Sequence, residues 1–180
     1  MIFEEKTVAT KEIFNGRIVK VRLDRVAMPD GTEAERELVF HPGGVGVVAL
    51  TDNNEIIMVR QFRKPIEKAI YEIPAGKLDS DEYHRECGIR ELGEETGMTA
   101  DRFEYLGFIY PSPGFTDEVT HVYLATGLKQ GEVHPDEDEY LDVEKIPFET
   151  AYQMVMRNEI NDAKSVFGIL KTRQILFENK

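Results

Sequence analysis

Three glutamates lie close together in the segment GIRELGEETGM, at Glu91, Glu94 and Glu95. If this segment is helical, spacings of three and four residues bring the three side chains onto one face of the helix. Carboxylates so close repel one another, and nothing about folding alone requires them. Divalent cations that prefer oxygen ligands relieve this repulsion, and magnesium is the leading candidate. The spacing therefore predicts a metal site for phosphate chemistry.

The three glutamates belong to a longer pattern, GKLDSDEYHRECGIRELGEETGM, which runs from residue 76 to residue 98. Gly76 permits a tight turn before a helix predicted at about 81–96, and Gly97 suits the end of that helix. The order G-x5-E-x7-R-E-L-x-E-E-x-G-M resembles the signature of the Nudix hydrolase family. The resemblance implies hydrolysis of a nucleoside diphosphate linked to another group, with Mg²⁺ or Mn²⁺ as cofactor. It also implies that Glu82 and Arg90 hold the helix and the preceding loop together.

Within this pattern, Glu91 and Glu95 are the first candidates for direct metal ligands. The carbonyl of Ala75, just before the turn, completes the set. Glu94 is expected to bind a metal through a shared position or through water.

Other segments resemble the ADP-ribose pyrophosphatase branch of the same family, and together they cover nearly the whole chain. They are FNGRIVKV (14–21), VRQFRKP (59–65), YEIPAGKL (71–78), PSPGFTDE (111–118) and HPDEDEYLDV (134–143). The resemblance implies hydrolysis of ADP-ribose to AMP and ribose 5-phosphate. Another ADP-sugar, NADH or a flavin dinucleotide would need no change in the glutamate pattern, so these substrates stay open. A non-catalytic ADP-ribose sensor is the rival outside enzymology.

The resemblance also implies a set of substrate contacts. Arg63 is expected at the pyrophosphate, where a planar guanidinium pairs with phosphate oxygens. Glu72 and Glu118 match carboxylates that accept hydrogen bonds from ribose hydroxyls, and Gly114 leaves its backbone close to the ligand.

The N-terminal Gly-Arg-Ile sequence supplies two more candidates. Arg17 and Ile18 match residues that hold the adenosine half of the substrate, in some relatives from the partner subunit. Arg36 and Glu37 are further candidates, and either could be an ordinary solvated charge on a strand.

Hydrolysis also needs a water nucleophile and a base. Metal ions lower the pKa of bound water, and a base within hydrogen-bond reach takes the remaining proton. In the branch that this chain resembles, the base is a glutamate on a loop past the helix, and Glu139 matches it best. Glu137 is a near neighbour with the same chemistry.

Composition narrows the class of protein. The chain has 180 residues, of which 41% are apolar and 31% charged, and its net charge is −12. This balance argues against broad binding of nucleic acid or acidic membranes, which needs clustered lysine and arginine. A single cysteine, Cys87, excludes an intrachain disulfide framework. With no signal-peptide pattern and no membrane-spanning apolar run, we expect a cytoplasmic protein.

The hydrophobic pattern predicts two domains, at residues 1–42 and 43–180. The first reads as a small antiparallel sheet with strands at about 3–12, 17–28 and 33–41. Because this sheet has little core of its own, we expect it to pack against another surface, and a homodimer is expected. From residue 43 onward, strands alternate with helices at about 81–96, 147–157 and 162–178. This order predicts an α/β (α+β) fold, a mixed β-sheet sandwiched between helices.

Overall fold

The computed structural model describes residues 3–131 and 140–178. The chain divides into two compact units, one of residues 1–42 with 110–119 and one of residues 43–109 with 120–180. The predicted larger domain, 43–180, includes residues 110–119, whereas in the structure these residues group with the N-terminal strands. Within the described residues, no helix combines the length and apolar character that crossing a bilayer requires.

The smaller unit contains three antiparallel strands in the order β1-β2-β3. These are β1 (Lys6–Asn15), β2 (Lys20–Ala27) and β3 (Glu33–Phe40). All three predicted strands are confirmed, but β1 lies at 6–15 rather than 3–12. The shift arises because the hairpin closes after Asn15, which pairs with Lys20, so the strand extends further toward the turn than its apolar pattern suggested.

Residues 110–119 are held to β3 by backbone hydrogen bonds. The Val39 amide donates to the Phe115 carbonyl at 2.8 Å, and the Asp117 amide donates to the Val39 carbonyl at 3.3 Å. The Asp117 carboxylate accepts a further hydrogen bond from the His41 amide at 2.9 Å. This pairing explains why the proline-rich segment groups with the small sheet although it lies far away in sequence.

The larger unit contains seven strands and three helices within the described residues. The strands are β4 (Gly44–Leu50), β5 (Glu55–Arg63), β6 (Lys68–Glu72), β7 (Ala75–Lys77), β8 (Met98–Ile109), β9 (Thr120–Gln130) and β10 (Leu141–Pro147). The helices are α1 (His84–Thr96), α2 (Phe148–Met156) and α3 (Ala163–Glu178). The sheet runs in the order β10-β5-β4-β9-β8, with β6 beside β5 and β7 beside β4. Strands β4 and β9 are parallel, and the other pairs are antiparallel, so the sheet is mixed.

Strand β4 is buried along its whole length because helices cover both faces of the sheet. Val45 and Val47 pack in the cluster that contains Leu92 of α1. Val48 packs in the opposite cluster with Ile169 of α3. Successive side chains of a strand point to opposite faces, so one strand contributes to two cores. This arrangement confirms the predicted fold of a mixed sheet between helices.

Several boundaries differ from prediction. Helix α1 begins at His84 rather than near residue 81, because Asp81 adopts a left-handed conformation with φ of 64°. The segment FEYLGFIYP (103–111) predicts a strand from residue 103, but β8 begins at Met98, which pairs with Gln130 at the end of the β8–β9 ladder.

Two neighbouring residues of helix α3 test which of its side chains belong to the hydrophobic core. Ile169 is fully buried between the helix and the sheet, whereas the adjacent Leu170 is 40% exposed. We expect Ile169→Ala to lower the free energy of unfolding by about 2–5 kcal/mol, because it leaves a cavity. Leu170→Ala serves as the matched control and should cost less than about 1 kcal/mol. Urea unfolding of both variants measures the difference, and equal losses would contradict this assignment of the core.

Candidate active site

Helix α1 carries the three glutamates, and two of them are buried. Glu91 and Glu95 are 8% and 2% exposed, and the Glu94 side chain is 32% exposed. The helix ends at Gly97, whose φ of 68° is left-handed and whose amide donates to the Gly93 carbonyl at 2.8 Å. Glycine adopts this conformation without steric cost, so the chain can leave the helix directly into β8.

Strand β7 lies against the buried glutamates at the point where glycine was predicted. A Cβ atom on Gly76 would lie 1.8 Å from the carboxylate carbon of Glu91, so only a glycine leaves room for that carboxylate. The Ala75 amide donates a hydrogen bond to Glu95 Oε2 at 3.0 Å. The turn therefore contacts both buried carboxylates.

Arg90 connects the glutamates of the helix to the preceding loop. Its Nε and Nη2 donate to the two oxygens of Glu82 at 2.9 and 3.0 Å. Its Nη1 donates to Glu91 Oε1 at 2.7 Å and to Glu94 Oε2 at 2.8 Å. The hydrogen bond from Arg90 lowers the pKa of Glu82 to about 2, and the same contacts raise the pKa of Arg90. Three carboxylates thus share one guanidinium, which balances only part of their charge.

The donor set fits a hard divalent cation. Glu91, Glu94 and Glu95 offer carboxylate oxygens on one helix face, and the space that Gly76 leaves is occupied by the Glu91 carboxylate. Within residues 3–131 and 140–178, no three acidic, histidine or cysteine side chains already converge as a ligand set. Arg90 is the present counter-ion of Glu91 and Glu94, so a cation would share or replace its contacts.

Cys87 lies on the buried side of the same helix. Its thiol is fully enclosed and donates to the Lys77 carbonyl at 3.4 Å. Burial raises the pKa of the Cys87 thiol to about 12. The residue therefore contributes packing and remains a neutral thiol.

Arg63 and Glu72 form a second polar centre in the larger unit. Arg63 donates from Nε to Glu72 Oε1 at 2.5 Å and from Nη2 to Oε2 at 2.8 Å. Glu72 is only 2% exposed. Burial alone would raise its pKa, but the hydrogen bond from Arg63 and the charges of Arg63 and Lys164 outweigh burial, so the pKa of Glu72 is lowered. The hydrogen bond to Glu72 raises the pKa of Arg63, and the charge of Glu95 adds to this effect, which links this centre to the glutamates of α1.

Sequence reasoning missed Lys164, which donates a hydrogen bond to Glu72 from the first turn of α3. Lys164 also donates to Asp162 Oδ2 at 3.0 Å. The same Asp162 oxygen accepts the Ser165 amide at 3.1 Å and the Ser165 hydroxyl at 2.6 Å, as a helix-capping carboxylate does. The Asp-x-x-Ser spacing before an apolar helix was readable in the sequence. The pairing of Lys164 with Glu72 was not, because the two residues are 92 positions apart.

Six of the predicted substrate residues belong to the smaller unit, and four of them lie outside its three strands. Arg17 and Ile18 lie between β1 and β2 and are exposed, and Gly114 has open space around its Cα. Glu118 is half-buried, with its carboxylate 3.9 Å from His41 Nδ1. These residues lie in the N-terminal hairpin loop and in the segment beside β3, and their predicted contact with substrate stays a prediction.

Arg36 and Glu37 are neighbours on β3 with different surroundings. Arg36 donates from Nε to Glu5 Oε2 at 2.8 Å, in an exposed ion pair. Glu37 lines a groove with Val39 and Phe115. The predicted base Glu139 and its alternative Glu137 lie outside the described residues.

Comparison with known proteins places these features in a family. The sequence profile of the NUDIX domain matches residues 40–167, and that of the nucleoside diphosphate sugar hydrolase N-terminal domain matches residues 5–39. The chain is 46% identical to "Methanol dehydrogenase activator" of Bacillus methanolicus, over 93% of this chain and 92% of that protein. It is 45% identical to "ADP-ribose pyrophosphatase" of Bacillus subtilis, over 92% of this chain and 91% of that protein. A solved structure described as an ADP compounds hydrolase shares the fold, with a TM-score of 0.87 and 20% identity over 98% of this chain and 96% of that one.

Replacing Glu82 tests the contact of Arg90 with the loop. Because the pKa of Glu82 is lowered from 4.5 to about 2, its ion pair stabilises the folded state above pH 4.5 and is lost as the pH falls toward 2. We expect Glu82→Gln to lower the free energy of unfolding at pH 7 by up to about 3 kcal/mol. The gap between the two proteins should narrow below pH 4.5. Urea unfolding across this pH range measures it, and a gap that is constant with pH would contradict the assignment.

Gly76→Ala tests whether the space beside Glu91 serves cation binding. The added methyl group must displace the Glu91 carboxylate, so we expect the affinity for Mg²⁺, measured by calorimetry, to fall at least about tenfold. Gly93→Ala is the matched control, because its Cβ would meet nothing closer than 4.0 Å. If the two variants bound Mg²⁺ with equal affinity, the position of the Glu91 carboxylate would not matter for cation binding.

Proposed function

This chain belongs to the Nudix hydrolase family, and we propose that it hydrolyses the pyrophosphate bond of ADP-ribose to AMP and ribose 5-phosphate with Mg²⁺ as cofactor. The observation that carries this proposal is the intact set of glutamates on α1, with Glu91 seated against Gly76 and joined by Arg90 to Glu82. A relative that is nearly half identical over most of its length is named for ADP-ribose hydrolysis, which supports the choice of substrate.

The glutamates of α1 would hold the cation. In the proposal, Glu91, Glu95 and the Ala75 carbonyl are direct ligands, and Glu94 binds directly or through water. When bound, Mg²⁺, or Mn²⁺ in its place, lowers the pKa of a water molecule and neutralises charge on the phosphate oxygens. Arg90 would hold the helix to the loop at Glu82, so that the carboxylates keep one orientation.

Arg63 would bind the pyrophosphate. Its side chain is 39% exposed, and Glu72 orients the guanidinium, so it can donate further hydrogen bonds to phosphate oxygens. The oxygens of Glu72 already accept from Arg63 and Lys164, which favours orientation of Arg63 as its main role over a bond to ribose. Arg17, Ile18, Gly114 and the remaining candidates of the smaller unit would contact the adenosine half. Glu139, or else Glu137, would accept the proton of the attacking water.

A second candidate function comes from the other similar relative. That protein is named an activator of methanol dehydrogenase, and it covers this chain as fully as the pyrophosphatase does. On this reading, the chain activates a methanol dehydrogenase. A purified methanol dehydrogenase, assayed with and without this chain, distinguishes the two, and Glu95→Gln shows whether any activation needs the glutamates of α1.

Two further proposals concern the setting of the protein. We propose a cytoplasmic location, which the single buried Cys87 supports because disulfides are rare in that compartment. We also propose a homodimer, since every residue of β1 is exposed on its sheet of three strands. Light scattering after size exclusion tests the oligomeric state.

Purified protein incubated with ADP-ribose and Mg²⁺ tests the proposed reaction. We expect AMP and ribose 5-phosphate in equal amounts, loss of turnover with a chelator and recovery on adding Mg²⁺. Glu95→Gln should lower kcat by at least about a hundredfold, because it removes a charge from the cation site. Glu104→Gln, an exposed glutamate on β8, is the matched control and should retain full activity.

Two results would decide against this reaction. Wild-type protein that releases no AMP in excess Mg²⁺ rejects ADP-ribose hydrolysis, and binding without turnover would favour a sensor. A substrate series of ADP-sugars, NADH and flavin dinucleotide, compared by kcat/KM, identifies the preferred substrate if ADP-ribose is a poor one.

A further inference from the structure

Lys164 is a partly buried cation that has no role in the proposed reaction. Its side chain is 13% exposed and contacts two carboxylates, Glu72 and Asp162. Glu72 is almost fully buried and also accepts both hydrogen bonds from Arg63. A buried carboxylate is costly unless it is paired, and here two cations share it.

The geometry of Arg63 divides its guanidinium into a held edge and an open edge. Nε and Nη2 donate to Glu72. Within residues 3–131 and 140–178, Nη1 donates no hydrogen bond, and the side chain is 39% exposed. A fork held in this way presents its remaining donors in a fixed plane, as phosphate recognition requires.

Lys164 affects the Arg63 guanidinium in two ways. Its ammonium group holds Glu72 Oε2, the oxygen that also accepts from Arg63 Nη2, so it limits rotation of the carboxylate. Its charge also balances Asp162, so that two cations face two carboxylates. Without Lys164, the cluster would carry one excess negative charge beside the place where Arg63 meets an anion.

The backbone around Glu72 is held independently of the lysine charge. The Ser165 hydroxyl accepts the Ile73 amide at 2.8 Å, and Asp162 caps the helix through Ser165. Removing only the charge of Lys164 therefore leaves the connection between α3 and the end of β6 in place. The effect should fall on the side chains of Glu72 and Arg63.

We propose that Lys164 is a positioning residue for phosphate recognition, which holds Arg63 through Glu72 so that the open edge of the guanidinium faces the pyrophosphate of a nucleoside diphosphate. The inference rests on the proposed function in that the ligand carries a pyrophosphate. The role belongs to the charge of Lys164, and its effect passes through Arg63.

Lys164→Met keeps the length of the side chain and removes its charge. With ADP-ribose and excess Mg²⁺, we expect KM to rise about tenfold and kcat to stay within about twofold, because a contact made equally to substrate and transition state changes KM alone. Lys164→Arg should return KM to within about threefold of the wild type, because the charge is restored. Lys129→Met, which removes an exposed lysine paired with Asp101, is the matched control.

A double-mutant cycle tests whether Lys164 acts through Arg63. In an Arg63→Gln background, we expect Lys164→Met to change KM no further, whereas independent effects would multiply. A Lys164→Met variant with wild-type KM, or full multiplication with Arg63→Gln, would overturn the proposal.

A binding measurement separates this inference from the proposed reaction. The affinity for ADP, measured by calorimetry in Mg²⁺, should be weakened in Lys164→Met and largely restored in Lys164→Arg. This order is expected whether or not ADP-ribose is hydrolysed. If the wild-type protein binds ADP but does not hydrolyse ADP-ribose, the proposed reaction is wrong. The ADP affinities of the variants then still decide the role of Lys164. Wild-type protein that binds no ADP rejects both. Thermal unfolding confirms that each variant is folded.

Discussion

The repulsion among the carboxylates of α1 is the constraint on which the structure of the site depends. Glu91 and Glu95 are nearly excluded from solvent, where uncompensated charge is most costly, and Glu94 is only partly exposed. Arg90 compensates part of this negative charge by donating hydrogen bonds to Glu91 and Glu94, and it also donates to Glu82 in the loop. Because an arginine offers hydrogen bonds in one plane only, it restrains the carboxylates without enclosing them. In the proposed function, a divalent cation would compensate the charge that Arg90 leaves.

The fold holds the two polar centres of the larger unit on neighbouring stretches of chain. Glu72 ends β6, and Ala75 begins β7 three residues later, so a short segment serves both the Arg63 centre and the glutamates of α1. Ser165 and Asp162 at the start of α3 fix one end of this segment, and Glu95 accepts an amide hydrogen bond from the other end. Helices on opposite faces of the sheet thus act on one connection, and the sandwich arrangement makes this possible.

The sequence was most informative where chemistry and local structure coincide. The glutamate spacing on α1, the glycines at its ends and the sheet between helices could all be predicted, because each rests on residues a few positions apart or on a strong apolar pattern. The start of β8 at Met98, directly after the end of α1, could not, because it is set by pairing with the distant Gln130. Lys164 could not be found either, since its partner is distant in sequence. The grouping of residues 110–119 with β3 depends on backbone hydrogen bonds, which side-chain patterns do not encode.

Cys87 has a practical consequence beyond the packing of α1. As the one sulfhydryl of the chain, it is enclosed and held in its protonated form at neutral pH. Alkylating reagents attack thiolates that solvent can reach, so the folded protein presents them with no native target. A cysteine introduced at an exposed position would then be labelled alone, without prior removal of the natural one. The chain is therefore ready for attachment of a single fluorophore or spin label, through which motions of the protein during turnover can be followed.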